Sequence, residues 1–373
     1  MSDPSFDAVV VGAGPAGSTA AIQLARSGRR VALLDRMRFP REKPVGAWLN
    51  AKVATLLAAL DVPPQHLLDD SIREVTFNNV DFTKRAKPAL AAPGYLIERG
   101  KFEHALVQAA AKAGVEVLEG RHVRRLQLKE KEVVVESDQG SPVAGRLLLL
   151  ATGHEAELVN LVGVSRDRKH TPAWCAQVDG PLTTPRSESA VALVLGLDRR
   201  SGFGMCCLSK TWFSVGVTLF GGQDQVRERL IMLCKTAHER GVVPMDLSPA
   251  AAAATVVSSP ASAGLDMETH VGKHSLVFGD AGGFVSAASN EGIYPGMWSA
   301  QLAAEVAETA LQAAKNGRPT QDELMRFDSL WRIQMADYLR SPHTDIQFIL
   351  PLIFSNQPMA DRMGAAFFSG ENI

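Results

Sequence analysis

Phe6-Asp7-Ala8-Val9-Val10-Val11-Gly12-Ala13-Gly14-Pro15-Ala16-Gly17 is the stretch on which the reading of this chain turns. Phe6 to Val11 is a β-branched run of the kind that forms a buried parallel strand. Small residues then turn the chain, and an alanine-rich helical pattern follows through Leu24 and Ala25 to Ser27-Gly28. Val31-Ala32-Leu33-Leu34-Asp35 is a second apolar strand, closed by a carboxylate. The unit is a βαβ crossover with a Gly-x-Gly-x-x-Gly turn and an acid about 20 residues further on. Gly12 allows the tight turn. Gly14 lets the backbone approach a pyrophosphate at the helix N-terminus, where unpaired N–H groups and the dipole favour an anion. Gly17 lets the helix sit close to the sheet, and Asp35 would accept hydrogen bonds from a ribose diol while disfavouring a ribose phosphate. The competing reading is a glycine-rich loop that merely joins a strand to a helix, and the complete βαβ context makes it the weaker one.

Outward from this unit, the 373-residue chain is long enough for two domains or for one large domain with an insertion. Its 46% hydrophobic and 21% charged residues exclude a disordered, collagen-like or disulfide-scaffold protein. The 39 Lys+Arg nearly balance the 40 Asp+Glu, so no single-sign field points to nucleic acid as a partner. Cys175, Cys206, Cys207 and Cys234 form no C-x-x-C pair and have no zinc-like spacing to histidine, so no metal is expected and the thiols should be reduced. The acidic start lacks the pattern of a signal peptide, and no apolar run approaches the ~18 residues of a membrane span. The expectation is a cytoplasmic protein with no integral membrane span.

Further along, residues 36–44 form a basic loop, and helical patterns cover about 50–60 and 101–113. Strand patterns cover 115–118, 123–128 and 132–136, and the apolar Leu147 to Leu150 run ends at Ala151-Thr152-Gly153. From about 160 to 270 the pattern changes to short strand-like runs, such as 190–197 and 212–220, with one amphipathic helix near 225–240. That reads as an antiparallel sheet with a helix. Phe278-Gly279-Asp280-Ala281-Gly282-Gly283-Phe284 then repeats the junction of apolar strand, small-residue turn and carboxylate. Taken singly, Asp280 is a helix N-cap. Taken with the first turn, it would meet a polyol hydroxyl on a long ligand such as FAD. Residues 294–316 read as a helix with Gly317 as its stop, and 320–373 as further helices.

On these residues the chain resembles the FAD-dependent oxidoreductases of the p-hydroxybenzoate-hydroxylase-type fold. Within them it is most similar to the branch of geranylgeranyl reductases, FixC-like proteins and flavin-dependent halogenases. Four stretches carry the resemblance: Asp7 through Asp35-Arg36; Phe39-Pro40-Arg41-Glu42-Lys43-Pro44-Val45-Gly46, similar to a P-R-x-K-x-C-G loop beside the flavin; Glu98-Arg99-Gly100-Lys101-Phe102-Glu103, similar to R-x-x-F-D; and Gly279-Asp280-Ala281 with Asn290-Glu291-Gly292-Ile293, similar to G-D-A-A…G-E-G-I. The resemblance implies FAD as cofactor, held by Gly12, Gly14, Ala16, Gly17, Asp35, Arg36, Arg41, Arg99, Val123, Gly279, Asp280, Gly292 and Ile293. In it Arg99 contacts the cofactor, the Val123 backbone holds the adenine, and Asp280 meets the ribityl-pyrophosphate region. The chain also departs from the family pattern. Val45 replaces the loop cysteine, His154 stands where the central motif has an aspartate, and Asn290 replaces the first glycine of G-E-G-I. The halogenase W-x-W-x-I-P signature is missing. Gly202-Phe203-Gly204-Met205-Cys206-Cys207 looks like a degenerate form of the reductase branch's Y-G-W-x-F-P.

The expected fold is α/β: a Rossmann-like FAD-binding domain of the glutathione-reductase type, an inserted antiparallel-sheet substrate domain and a helical C-terminus. The FAD-binding domain would comprise 1–60, 95–158 and 271–318, the substrate domain 61–94 and 159–270, and the C-terminal helical segment 319–373. Flavin supplies the hard chemistry in such enzymes, so no nucleophile–base pair is required. The catalytic residues are not identified. Glu291 is the candidate, because the resemblance sets its loop against the flavin, with an ordinary loop carboxylate as the competing reading. His104 and His154 read as histidines without chemical duty, and Lys43 and Lys84 lack a halogenase context. Met205, Trp212, Phe213 and Phe220 lie at alternating strand positions, where some would line an apolar pocket. The apolar run from Phe348 to Phe354 reads first as core or dimer packing, then as a tunnel lid, then as membrane contact. The function expected is an FAD-dependent oxidoreductase of a hydrophobic small molecule or carrier-tethered intermediate, with monooxygenation ahead of double-bond reduction and halogenation third. A non-catalytic flavin- or nucleotide-binding protein is the alternative from another class. With one dinucleotide fingerprint, reducing equivalents would come from transiently bound NAD(P)H or a separate flavin reductase. A carrier protein or that reductase would be the protein partner.

Overall fold

In a computed structural model of the chain, Phe6–Val11 lies between Val31–Asp35 and Val143–Leu150 and runs parallel to both. The structure describes residues 6–41, 43, 46–63, 71–72, 74–92, 94–155, 157–165, 173–198, 202–220, 222–259, 262–315, 317–340 and 346–371. Ser275–Val277 and Glu116–Glu119 extend the parallel arrangement on either side, Val271–Gly272 adds an antiparallel edge, and Val123–Leu128 with Val133–Ser137 forms an antiparallel ribbon joined to Val143–Leu150. These strands are apolar on both faces because both faces are covered, as the unbroken Val/Leu runs predict. Val9, Leu33, Leu148 and Leu149 are fully buried. Full burial of such side chains contributes about 1.5–3 kcal/mol each.

The helix Pro15–Arg26 follows the first turn and meets the long helix Ile293–Ala313 through small residues. A Cβ added to Gly296 would lie 3.7 Å from Ala16 Cβ, which shows how close the two helices run. The long helix stops earlier than Gly317 suggests. Ala313 is its last residue, and Lys315 takes the left-handed turn with φ 52°. Gln321–Leu339 then restarts under a capping box, Thr320 with Glu323.

The second sheet has the order Val257–Ser259, Ala173–Pro181, Trp212–Leu219, Phe203–Leu208, Ala190–Leu195, Val75–Asn79, Arg85–Ala86. All its pairs are antiparallel except that of Val75–Asn79 with Ala190–Leu195. The helix Asp224–Glu239 covers one face through Val226, Leu230, Leu233 and Cys234. The C-terminal helices Ile346–Ser355 and Gln357–Gly364 and the π-helical turn Ala365–Ser369 return to the other side of this sheet. There Phe368 meets Trp48 at 5.0 Å and Phe367 meets Phe203 at 5.8 Å between ring centroids. The apolar run 348–354 divides accordingly: Ile353 is buried, while Phe348 is 80% exposed. No helix among the described residues is long and apolar enough to cross a membrane.

Candidate functional site

The first turn explains its own glycines. Gly12 has φ 103°, and a Cβ there would lie 2.2 Å from the Ala151 carbonyl oxygen. A Cβ on Gly17 would lie 1.8 Å from the Gly12 carbonyl oxygen, so helix and turn touch through backbone alone. Gly14 is different. As N-cap of the helix it makes no side-chain cap, and its added Cβ would meet only Arg41 Nη2, at 3.5 Å. The helix N-terminus therefore opens onto free volume, a cavity of about 320 Å³.

That cavity brings together the two distant strand-to-turn junctions. Gly14 and Asp280 both line it. Gly279, with φ 63°, would place a Cβ 2.8 Å from Ala16, so the second turn presses on the first helix. Gly292 is held to glycine by Asp280, whose Oδ1 lies 2.6 Å from the position of an added Cβ. Of the thirteen residues that the sequence put at the cofactor, all but Gly17 and Gly279 line this cavity, and those two shape its wall from behind. His154 lines it as well. Glu42, Pro44 and Val45, the core of the flavin-side loop, lie outside the described residues.

Asp35 is engaged within the protein itself. Its Oδ2 accepts from the Ala13 N–H at 2.7 Å and its Oδ1 from the Met37 N–H at 2.8 Å, while Arg41 Nη1 stands 3.3 Å from both oxygens. The carboxylate thus fixes the glycine turn and the start of the basic loop. Arg36, on the rim, pairs with Glu155. Behind the cavity, Glu103 is fully buried and accepts from Arg41 Nε at 2.7 Å and from Arg99 Nε at 2.8 Å. Burial pushes the Glu103 carboxyl upward, but the Arg99, Lys43 and Arg41 charges outweigh it and hold it at about 2. Lys43 is pulled down, by burial first and by the Arg99 charge second. The result is a cationic wall anchored by one buried anion, an arrangement that suits a pyrophosphate. The residues present fit FAD: an open, uncapped helix N-terminus, glycines where a Cβ would close the cradle, and paired arginines.

A second cavity of about 130 Å³ adjoins the first, and Arg99, Asn290, Gly292 and Ile293 line both. Its far wall is the second sheet. The register puts Gln177, Gly216 and Met205 side by side on three neighbouring strands, and all three line the cavity. Thr218 and Phe203 form the adjacent row with Cys175. Phe367 of the C-terminal turn and Trp48 close the sides. Of the four side chains read as pocket candidates, only Met205 lines it. Trp212 and Phe213 are buried in the sheet's own cores, and Phe220 packs at their margin.

Glu291 lines this apolar cavity, beside the residues shared with the first. Asn50 Nδ2 donates to its two oxygens at 2.8 and 3.1 Å. Burial raises the Glu291 carboxyl to about 7, against the hydrogen bond from Asn50 and the charge of Lys52. Sequence reasoning missed Asn50, which reads only as the start of a helix. It is that N-cap, with Oδ1 accepting from the Lys52 N–H at 2.9 Å, and its amide nitrogen is thereby aimed at Glu291. Nothing in the sequence brings residues 50 and 291 together.

Comparison with known proteins agrees with this geometry. A family model described as pyridine nucleotide-disulphide oxidoreductase matches residues 6–196. The chain belongs to that FAD-binding oxidoreductase family. Among curated relatives, FixC of Shigella flexneri is 29% identical over 179 residues, which are 46% of this chain and 42% of FixC. The match thus spans less than half the length of that relative. Digeranylgeranylglycerophospholipid reductase 1 of Methanococcoides burtonii is 25% identical over 341 residues, 88% of this chain and 79% of the relative. Among solved structures, a geranylgeranyl bacteriochlorophyll reductase-like protein from Thermoplasma acidophilum shares the fold, with a TM-score of 0.71 at 15% identity over 97% of this chain and 99% of that one. The expected α/β flavoprotein fold with an inserted antiparallel sheet is therefore the observed one.

Proposed function

We propose that this chain reduces a carbon–carbon double bond of an apolar substrate, with FAD as the electron carrier and Glu291 as the proton donor. The observation that carries this reading is the position of Glu291. An acid poised near neutrality lines the apolar cavity where that cavity adjoins the nucleotide-side one. Saturating a double bond consumes two electrons and two protons in sum, delivered as one hydride and one proton. Reduced FAD, when bound, supplies the hydride. The proton must come from a group that touches the substrate, and an acid with a value near the working pH is best suited to give it. Asn50 holds the Glu291 carboxyl in one orientation, and the apolar walls keep bulk water from competing. Similarity over 88% of the chain to a reductase of a geranylgeranyl lipid supports the same direction of reaction over oxygenation.

In this reading the open N-terminus at Gly14 and the Arg41–Glu103–Arg99 group hold the pyrophosphate, Val123 borders the adenine, Asp280 borders the ribityl-pyrophosphate region, and Gly292 and Ile293 border the flavin side. NAD(P)H bound transiently, or a separate flavin reductase, replenishes the electrons. The test is anaerobic. FAD-loaded protein reduced with dithionite is mixed with a geranylgeranyl-bearing glycerophospholipid, and the lipid is analysed by mass spectrometry. Gain of two hydrogens is expected, with Glu291→Gln slower by about 10²–10⁴-fold. Gain of one oxygen under air without added hydrogen would overturn the reading, as would full activity of Glu291→Gln.

A further inference from the structure

The helix Ile346–Ser355 carries no charged residue, yet it lies on the surface. Its inner side belongs to the core. Ile353 is buried, and Ile349, Leu350 and Phe354 pack into the cluster that also holds Trp48, Phe203 and Phe367 of the apolar cavity's wall. Its outer side has no cover among the described residues. Phe348 is 80% and Leu352 46% exposed, one helical turn apart, and Pro351 is exposed between them. Ser355 Oγ, exposed at the end of the helix, is turned back onto the Pro351 carbonyl oxygen at 2.9 Å. Beside this helix runs the edge strand Arg85–Ala86, in a basic segment. Lys84, Arg85 and Lys87 are exposed there, and Arg362 is exposed on the following helix. Gln357 Nε2 donates to the Lys87 carbonyl oxygen at 2.9 Å and ties this segment to the C-terminal helices. Two acids close by are already engaged: Glu74 pairs with Lys87 at 2.5 Å, and Asp361 accepts from the Ala89 N–H and from Gln357 Nε2, both at 2.7 Å. Lys84, Arg85 and Arg362 form no ion pair among the described residues. An apolar ridge flanked by cations suits the surface of an anionic bilayer, where apolar side chains enter the acyl boundary and lysine and arginine meet the headgroup phosphates.

We propose that the Phe348–Leu352 face docks on an anionic lipid bilayer, with Lys84, Arg85 and Arg362 against its headgroups, and that the chain collects its substrate there. The inference rests on the reductase reading for the choice of occupant. A glycerophospholipid bearing geranylgeranyl chains resides in bilayers, so the protein must meet it at a membrane surface. The exposed helix is the one whose inner residues back the apolar cavity, which sets docking and substrate entry on the same side of the molecule. The helix lies on the bilayer and does not cross it: its ten residues reach about 15 Å, half the thickness of the hydrocarbon core. A second copy of this chain is the weaker occupant. In a two-fold contact the same patch faces itself, so the apolar ridge would be covered but the cations would meet cations.

The experiment is co-sedimentation of oxidised, FAD-loaded protein with two kinds of vesicle, pure phosphatidylcholine and phosphatidylcholine with about one-quarter phosphatidylglycerol. The natural protein should pellet with the anionic vesicles and far less with the neutral ones. Phe348→Ser with Leu352→Ser should weaken binding to the anionic vesicles by about tenfold or more. Lys84→Gln with Arg85→Gln should weaken it by about ten- to thirtyfold and leave binding to the neutral vesicles unchanged. All four side chains are exposed, so flavin absorbance and the urea midpoint should stay those of the natural protein. Absence of the natural protein from the anionic pellet would overturn the assignment, as would undiminished binding by either double variant. A dimer in analytical ultracentrifugation that the Phe348→Ser, Leu352→Ser protein no longer forms would overturn it too, because a second copy would then cover the face. These vesicles contain no geranylgeranyl lipid, so docking is read without turnover. Full activity of Glu291→Gln would sink the reductase reading and leave docking untouched, whereas loss of docking with detergent-dispersed lipid still reduced would sink docking alone.

Discussion

A fully buried glutamate and a half-buried one face opposite ways in this molecule. Glu103 sits behind the nucleotide-side cavity between two guanidinium groups at 2.7 and 2.8 Å, and its carboxyl is held at about 2. Glu291 lines the apolar cavity, receives hydrogen bonds from a neutral amide and feels a cation only at Lys52, and its carboxyl stands at about 7. Burial pushes both upward, and the partners decide the outcome. Where full positive charges touch the carboxylate, Coulomb attraction exceeds the cost of desolvation, and where only a dipole does, desolvation wins. The first arrangement is architecture, since an acid ionised at every working pH moves no protons. The second is able to move one.

The largest expected effect is on the first carboxylate. Glu103→Leu leaves Arg41 and Arg99 buried beside each other without their anion, and should cost about 3–5 kcal/mol of stability in urea unfolding. A loss below about 1 kcal/mol would mean that solvent reaches the two arginines and that the contrast between the sites is overstated. The pH dependence separates the pair further. The folded value of Glu103 lies below its ordinary 4.5, so its contribution is complete above about 4.5 and is lost as pH falls toward about 2. The folded value of Glu291 lies above its ordinary 4.5, so its contribution is complete below about 4.5 and is lost as pH rises through about 7. Glu291→Gln should therefore flatten the stability profile between these limits and be more stable than the natural protein at pH ~8, by about 2 kcal/mol. A parallel profile for the two proteins would put Glu291 in contact with bulk water.

Legibility differs between the two regions for a physical reason. The nucleotide side is built from backbone constraints and consecutive residues. A Cβ on Gly12 or Gly17 would lie 2.2 or 1.8 Å from a backbone oxygen, which no side chain could survive, and such demands leave a local mark in the sequence. Even there, the pairing of Arg41 and Arg99 with Glu103 is not legible: Asp35, Arg41 and Arg99 read as cofactor contacts, and nothing local joins them to a buried anion on a different segment. The apolar cavity leaves no local mark. Gln177, Gly216 and Met205 meet only through strand register, Asn50 meets Glu291 across 241 positions, and Phe367 arrives from the far end of the chain. Alternation along 212–220 indicates a sheet but not which face lines the cavity: Met205 does, while Trp212 and Phe213 lie in the sheet's cores and Phe220 packs at their margin.

Asn50 offers a finer probe of the contrast. Asn50→Ala removes a helix cap, at about 1 kcal/mol, and also the amide that donates to both Glu291 oxygens. The pH at which Glu291 loses its proton should then move above 7, and a midpoint that stays in place would show that the Asn50 amide does not stabilise the carboxylate.

The smallest effect belongs to Lys52. Its Nζ donates to the Gly370 carbonyl oxygen at 2.6 Å and lies 5.5 Å from the Tyr294 ring centroid, so the side chain ties the C-terminal turn to the wall behind Glu291. Lys52→Met keeps the length of the side chain and removes the charge. Loss of one hydrogen bond and of the cation–π contacts with Tyr294 and Tyr338 should cost about 0.5–1 kcal/mol. Because the Lys52 charge pulls the Glu291 value down, its removal should raise that value, read as a displaced midpoint in the stability profile. The direction of the displacement is what matters. An upward move that disappears in high salt shows a charge acting through solvent, where Debye screening operates. An upward move that persists shows the ammonium acting through the protein, as the arginines do on Glu103, and the two carboxylates then differ only in the distance and number of their cations.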